Sequence, residues 1–309
     1  MQPNTDHLIG LEGVEKRYAH DTVVKGIDLQ IHAGECFVLI GQNGAGKTTL
    51  MKLMLGLTRP DTGQVRVLGL DPSSRSFAAG RRQLGYLPES VSFYPHMTGW
   101  ELLNYYARLK RIAKTEVSQR LEEVGLKKAA HRRLHTYSKG MRQRLGLAQS
   151  MLGTPKLLFL DEPTTGLDPM LRRDFYRIMS ELRTNGTTIV ISSHALNEIE
   201  AQADRIAVIK QGELLACGNL KDLGRKLNLP IRTRLAVIPG KSRQVAEQLE
   251  GNARIEHVNK HSVDLICQED HKMALLQQIT DLGDSILDIS MSEPRLTEVY
   301  LHYMNGEQP

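Results

Sequence analysis

Read for its apolar and polar positions, the chain falls into two unlike stretches. In the first, short apolar runs are continuous. ECFVLIG ends on Gly41, KLLFLDEP carries four apolar residues from Leu157 to Leu160, and the β-branched run TTIVISS ends at His194. Runs of this length without alternation predict strands buried on both faces of a parallel sheet. Between them the period changes to that of a helix: Leu50, Leu53, Met54 and Leu57 predict one helix. Met141, Leu145, Ala148 and Leu152 predict another, with Ser138 as its N-cap. GVEKRY to about Gly69 reads as mainly β, with a turn at Pro60 to Gly63, and residues 90–155 read as mostly helical. IAVIKQGELLACG reads as a hairpin about Gln211–Gly212. From about Leu229 the order is strand (IRTRLAVI), helix (Ser242–Leu249), strands RIEHV and SVDLIC, helix (His271–Leu282), strand SILDISM and a last helix in PRLTEVYLHYM. That order predicts a ferredoxin-like split unit.

Chemistry concentrates at the ends of the buried runs. Gly41, Gln42, Asn43, Gly44, Ala45, Gly46, Lys47, Thr48 and Thr49 form GQNGAGKTT between a predicted strand and a predicted helix. The glycines let successive backbone N–H groups turn toward an anion, and the helix adds its positive end. Lys47 is spaced to reach β- and γ-phosphates and Thr48 to ligate Mg²⁺, so the loop predicts ATP or GTP binding. Asp161 and Glu162 leave the next buried strand at its carboxyl end, where ligands of parallel sheets bind. Asp161 is placed for the Mg²⁺ shell, and Glu162 to orient or deprotonate an attacking water. Asp168 is expected in a tight turn closed by Pro169.

The order of phosphate loop, Ser-capped helix, DE strand, LD turn and His194 resembles that of ABC-type ATPases over residues 6–225. The resemblance implies an ATPase domain over residues 1–225, with a RecA-like core, an antiparallel β subdomain and an inserted helical subdomain at about 90–155. A C-terminal regulatory or accessory domain of α+β ferredoxin-like type then spans 226–309. It further implies that Tyr18 stacks on adenine, that Ser138 and Gly140 contact the γ-phosphate held by a second copy, and that Asp168 couples the two sites. His194 would sense the γ-phosphate, and Glu89 would stand near Mg²⁺ where the family usually has glutamine. The implied cofactors are ATP and Mg²⁺. The implied partners are a second copy in a head-to-tail homodimer and a polytopic membrane permease, touched through FYPHMTGWELLNYYARLK. YSKGM departs from the family's LSGGQ: Lys139 replaces a glycine and either adds a positive charge or faces water. RRQLGYLPESVSFYPHMTG, YARLK, TYSKGMRQRLGLAQSMLG and EVYLHYM are similar to the NosF-type ATPases of nitrous oxide reductase maturation. That narrower likeness implies a NosY-like permease, a NosD-like periplasmic partner and a part in copper-centre assembly. Other ABC-2 exporter ATPases, for drugs or polysaccharide, remain the alternative, and a soluble ABC ATPase acting on a ribosome or DNA is a third.

Composition trims these readings. The chain has 309 residues, 40% hydrophobic, enough for two cores. No run of about 18 apolar residues and no signal peptide is visible, so the expected location is peripheral, on the cytoplasmic face of the inner membrane. Cys36, Cys217 and Cys267 lie far apart and are expected as small buried apolar residues; neither they nor histidines such as His131 and His135 show copper-ligand spacing. The net charge of +5 is uneven: residues 81–144 hold 14 Lys/Arg against 5 Glu. Such a patch is either a solvated helix face or a surface for an anionic membrane or permease loops. Nucleic acid is not expected, because no aromatic residues interleave a basic stripe.

Overall fold

The computed structural model describes residues 7–305. The first stretch begins with two long strands, β1 (His7–Tyr18) and β2 (Asp21–His32), then β3 (Cys36–Ile40), helix α1 (Lys47–Met54) and β4 (Thr62–Val67). The short α2 (Ala78–Arg81) and β5 (Leu84–Leu87) lead into three helices, α3 (Gly99–Lys110), α4 (Lys114–Glu123) and α5 (Lys139–Ser150). Then follow β6 (Leu157–Asp161), α6 (Pro169–Thr184), β7 (Thr188–Ser193), α7 (Leu196–Ile199) and the pair β8 (Arg205–Lys210) and β9 (Glu213–Gly218).

β2, β1 and β4 form an antiparallel sheet, and β2 buries Val24, Ile27, Leu29 and Ile31 beneath it. The second sheet runs β5-β6-β7-β3-β8-β9, with parallel pairing from β5 through β8. Every residue of β3, β6 and β7 is buried, which is the unbroken apolar pattern of a strand covered on both faces. The β8–β9 turn puts Gln211 and Gly212 at φ 49° and 85°, the left-handed pair of a tight hairpin. α1 stops at Met54 rather than reaching Leu57, because Gly56 turns left-handed (φ 68°) and leaves Leu57 64% exposed.

Residues 90–155, read as mostly helical, carry α3, α4 and α5 between loops and short 3₁₀ turns. α3 opens on a capping box: Thr98 Oγ1 accepts from Glu101 N at 3.2 Å and Glu101 Oε2 accepts from Thr98 N at 2.8 Å. Much of the basic excess is spent on structure here. Arg120 pairs with Glu116 and Glu123, Lys127 with Glu122, and Lys110 Nζ donates to Leu84 O and Leu152 O at 2.9 Å each.

The chain divides into two compact units after Cys217. The second holds α8 (Leu220–Lys226), β10 (Ile231–Val237), α9 (Ser242–Leu249), β11 (Arg254–Val258), β12 (Ser262–Cys267), α10 (Lys272–Asp281), β13 (Ile286–Ser292) and α11 (Leu296–Asn305). α8 goes with this unit because Arg225 Nε donates to Glu269 Oε2 at 2.6 Å and Lys221 pairs with Glu293 at 3.7 Å. The sheet order β11-β12-β10-β13, all antiparallel, is that of a split βαβ unit. α9 and α10 bury Val245, Leu249, Leu275 and Ile279 against Leu235, Val263 and Leu265. Cys36 and Cys267 are buried as expected. Cys217 is only half-buried, since its strand lies at the sheet edge, where Arg205 Nη2 donates to its Sγ at 3.5 Å.

Candidate functional site

β3 delivers the chain into the phosphate loop, whose shape depends on two glycines. A Cβ at Gly41 would lie 2.4 Å from Ile209 O, and one at Gly46, where φ is 106°, would lie 2.7 Å from Val23 O. No other residue fits either place. α1 begins at Lys47, and Lys47 Nζ turns back to donate to Gly41 O at 2.6 Å and Gln42 O at 3.2 Å. It is 6% exposed and lies 3.9 Å from Glu162 Oε1. Burial holds its pKa below the ordinary lysine value, with Glu162, Asp161 and Glu89 pulling the other way.

Thr48, one residue on, donates from Oγ1 to Asp161 Oδ2 at 2.9 Å. The other oxygen, Asp161 Oδ1, accepts from Ser192 Oγ at 2.5 Å, and Asp161 is 2% exposed. β6 and β7 pair Asp161 with Ser192, so adjacent parallel strands end at the same level and present both groups to the loop. Glu162 then leaves the strand in the left-handed region (φ 46°). Its N–H donates to Ser192 Oγ at 3.0 Å and to Ser192 O at 3.2 Å, which holds the strained turn in place. His194 Nδ1 lies 2.7 Å from Glu162 Oε2. Glu162 Oε1 is buried without a hydrogen-bond partner.

A cavity of about 460 Å³ joins these groups, lined by Val23, Asn43 to Thr49, Glu89, Asp161, Glu162, Thr165 and His194. Gly41 and Gln42 stand just behind the lining, their carbonyls taken by Lys47 Nζ, and Tyr18, Ser138, Gly140 and Asp168 do not line it either. Tyr18 closes β1, 46% exposed, with Lys16 Nζ 5.4 Å from its ring centroid. Ser138 caps α5, its Oγ accepting from Met141 N at 3.2 Å. Gly140 packs beside Leu171: a Cβ there would lie 3.1 Å from its Cδ1. Asp168, expected in a tight turn, is the N-cap of α6. Pro169 at the first helical position leaves the carboxylate to accept from Leu171 N at 2.9 Å. Lys139 is exposed to solvent. Its side chain lies over Gly166, where a Cβ would come within 2.6 Å of Nζ.

Ser192, Thr165 and Val23 are site residues that sequence reasoning missed. Ser192 carried a legible signal: two serines end an otherwise apolar β-branched strand, and a buried hydroxyl there needs a partner. Among the described residues, no group of three or more His, Cys, Asp or Glu is arranged to hold a metal ion without help from other ligands.

The chain is similar to known proteins in sequence and in fold. Residues 24–165 match a family model described as ABC transporter. The chain is 35% identical over 311 residues to the daunorubicin/doxorubicin resistance ATP-binding protein DrrA of Streptomyces peucetius, covering 97% of this chain and 93% of that protein. It is 30% identical over 305 residues to the linearmycin resistance ATP-binding protein LnrL of Bacillus subtilis (strain 168), covering 96% and 97%. A solved ATP-binding subunit of an ABC transporter superposes with a TM-score of 0.67 at 30% identity, covering 72% of this chain and 94% of that one.

Proposed function

The chain belongs to the ABC transporter family, and from that premise we propose that it is the ATP-hydrolysing subunit of an exporter whose membrane-spanning permease is a separate chain. The observation that carries the reading is the convergence of Lys47, Thr48, Asp161, Glu162 and His194 on one cavity, with a buried carboxylate oxygen of Glu162 that has Lys47 3.9 Å away but no hydrogen-bond partner there. Such an oxygen is costly to bury unless something binds it.

ATP lies with its phosphates on Gly41 to Thr49. Lys47 exchanges its two carbonyl partners for phosphate oxygens, and burial makes that exchange favourable. The donor set suits Mg²⁺, being hard oxygens only: Thr48 Oγ1 and Asp161 would hold it, with Glu89 beside them on the cavity wall. When bound, the metal neutralises charge on the β- and γ-phosphates. Glu162 Oε1 accepts the proton of the attacking water, while His194 fixes Oε2. Tyr18 is the adenine platform. Ser138, Gly140 and Asp168 lie off the cavity of their own copy, which supports a head-to-tail pair in which they complete the partner's site.

No described helix is long and apolar enough to cross a membrane; as the ATPase of a separate permease, the subunit sits peripherally on the cytoplasmic face of the inner membrane. A groove of about 500 Å³, lined in part by Leu57, Tyr86, Phe93 and Tyr106, supports docking of the permease, and Tyr105 and Leu109 stand exposed on the same helix as Tyr106. Resistance to linearmycin and to daunorubicin/doxorubicin is what the two nearly full-length relatives are named for, and this supports a drug-type cargo. Copper-centre assembly for nitrous oxide reductase, with NosY-like and NosD-like partners, is the second reading, supported by the sequence segments around residues 81–99 and 136–153. Co-purification identifies the permease and separates the two. For the site, Lys47→Ala abolishes tight ATP binding in equilibrium measurements on the purified chain. Undiminished affinity in that variant would overturn the assignment.

A further inference from the structure

We infer that Arg172 is a positioning residue for the catalytic pair Glu162 and His194, acting through Glu198; the inference rests on the ATPase reading above. Arg172 stands in the first turn of α6, four residues after the Asp168 cap. Its Nε donates to Leu167 O at 3.0 Å, and its Nη1 pairs with Glu198 Oε1. Glu198 belongs to α7, the turn that follows His194 directly, and its N–H donates to Ala195 O at 3.1 Å. Ala195 N donates in turn to Ser193 Oγ at 3.0 Å.

These bonds close a ring. From Glu162 the chain runs through Thr165, whose N–H donates to Glu162 O at 3.2 Å, and Leu167, whose N–H donates to Thr164 O at 3.1 Å. Arg172 carries the ring from Leu167 O to Glu198. α7 returns it to His194, and the 2.7 Å contact of His194 with Glu162 Oε2 completes it. The turn between Glu162 and Asp168 is therefore fastened at both ends, by His194 at one and by Arg172 at the other.

The chemistry of the link is specific. Guanidinium holds five N–H donors in a fixed plane, and here Nε is spent on a loop carbonyl and Nη1 on a carboxylate 26 residues along the chain. Lysine carries its donors on one nitrogen and does not reproduce the fixed separation of Nε and Nη1. Glu198 Oε2 is buried without a hydrogen-bond partner, so Arg172 is what compensates this carboxylate. Neither residue lines the phosphate cavity. Loss of the link loosens the water-activating pair and leaves the phosphate cradle as it is.

The test compares Arg172→Ala, Arg172→Lys, Glu198→Ala and the double variant Arg172→Ala/Glu198→Ala with wild type, measuring equilibrium ATP binding, kcat and KM. Misplacement of catalytic groups by about 1 Å costs on the order of 10²-fold. Each single variant, lysine included, is expected to lose roughly 10- to 100-fold in kcat, with KM and ATP affinity within about threefold of wild type. The double variant loses no more than the worse single one, because both act through one link. The His194 imidazole ¹⁵N resonances, read without turnover, shift in Arg172→Ala. Wild-type kcat in folded Arg172→Ala, or losses that multiply in the double variant, would overturn the inference. If Arg172→Ala does not fold, Arg172→Lys and Glu198→Ala give the same reading. An inactive wild type with normal ATP binding would instead refute the ATPase reading, and the His194 resonances would still decide the link.

Discussion

Ser192→Ala removes one hydroxyl that touches two groups of the site. Ser192 Oγ donates to Asp161 Oδ1 at 2.5 Å and accepts from Glu162 N at 3.0 Å, in a place with no solvent exposure. Glu162 N keeps a second acceptor, Ser192 O at 3.2 Å, so its loss is partial. Asp161 Oδ1 loses this bond, while Oδ2 still accepts from Thr48 at 2.9 Å. A hydrogen bond to a buried charge is worth about 1.5–3 kcal/mol. The folded state should lose about that much, seen as a lower urea midpoint at unchanged slope. The functional effect falls on the metal, because Ser192 orients the carboxylate assigned to hold it. Loss of such an outer partner typically weakens metal affinity by about 10- to 100-fold. In the assay, ATPase rate is titrated with Mg²⁺ at saturating ATP, and the half-saturating Mg²⁺ concentration should rise by that factor. A destabilised variant with the wild-type Mg²⁺ curve would refute the claim that Asp161 serves the metal in the orientation Ser192 gives it.

Two further outcomes follow from buried groups away from the phosphates. Burial pushes Lys110 down to about 8, with Glu116 opposing, so below that pH the folded protein holds a charged amine at a cost. The unfolded chain keeps its proton up to the ordinary value of 10.5, and stability contributed by this group therefore rises with pH between about 8 and 10.5. Urea unfolding of wild type and Lys110→Met across that range checks it, the difference moving in favour of wild type as pH rises; a flat difference contradicts it. Burial also pushes the Cys36 thiol up to about 12, so a native-state alkylation time course should modify half-buried Cys217 first and leave Cys36 unmodified until unfolding. Early labelling of Cys36 would show that its strand opens locally.

The sequence pattern carried the elements further than it carried their contacts. Unbroken apolar runs located β3, β6 and β7 because strands buried on both faces have no polar register to keep, and the predicted helix Ser242–Leu249 is α9 to the residue. Glycine spacing located the phosphate loop, because only glycine tolerates the approach of Ile209 O and Val23 O. Local signals were also misjudged. Gly56 before Leu57 marked the end of α1, and Asp168 before Pro169 marked a helix N-cap. What could not be read depends on tertiary partners. The left-handed backbone of Glu162 is imposed by Ser192, 30 residues later, and nothing in LDEP announces it. Arg172 and Glu198 look like ordinary surface charges until α6 and α7 are brought together.

The central claim is that Glu162 activates water for ATP held on Lys47, in a site that two copies complete. At 3.9 Å, and with an effective dielectric constant near 20, Lys47 and Glu162 attract by about 4 kcal/mol before desolvation is subtracted. Removing the carboxylate thus frees Lys47 for phosphate and removes a negative charge beside it. The direct measurement is size-exclusion chromatography of Glu162→Gln with Mg²⁺ and ATP, with turnover followed on the same sample. The account predicts hydrolysis slower by on the order of 10² to 10⁴, undiminished ATP binding and a nucleotide-dependent shift from monomer to dimer. Wild-type turnover in this variant, or tight ATP binding with the protein remaining a monomer, would contradict it.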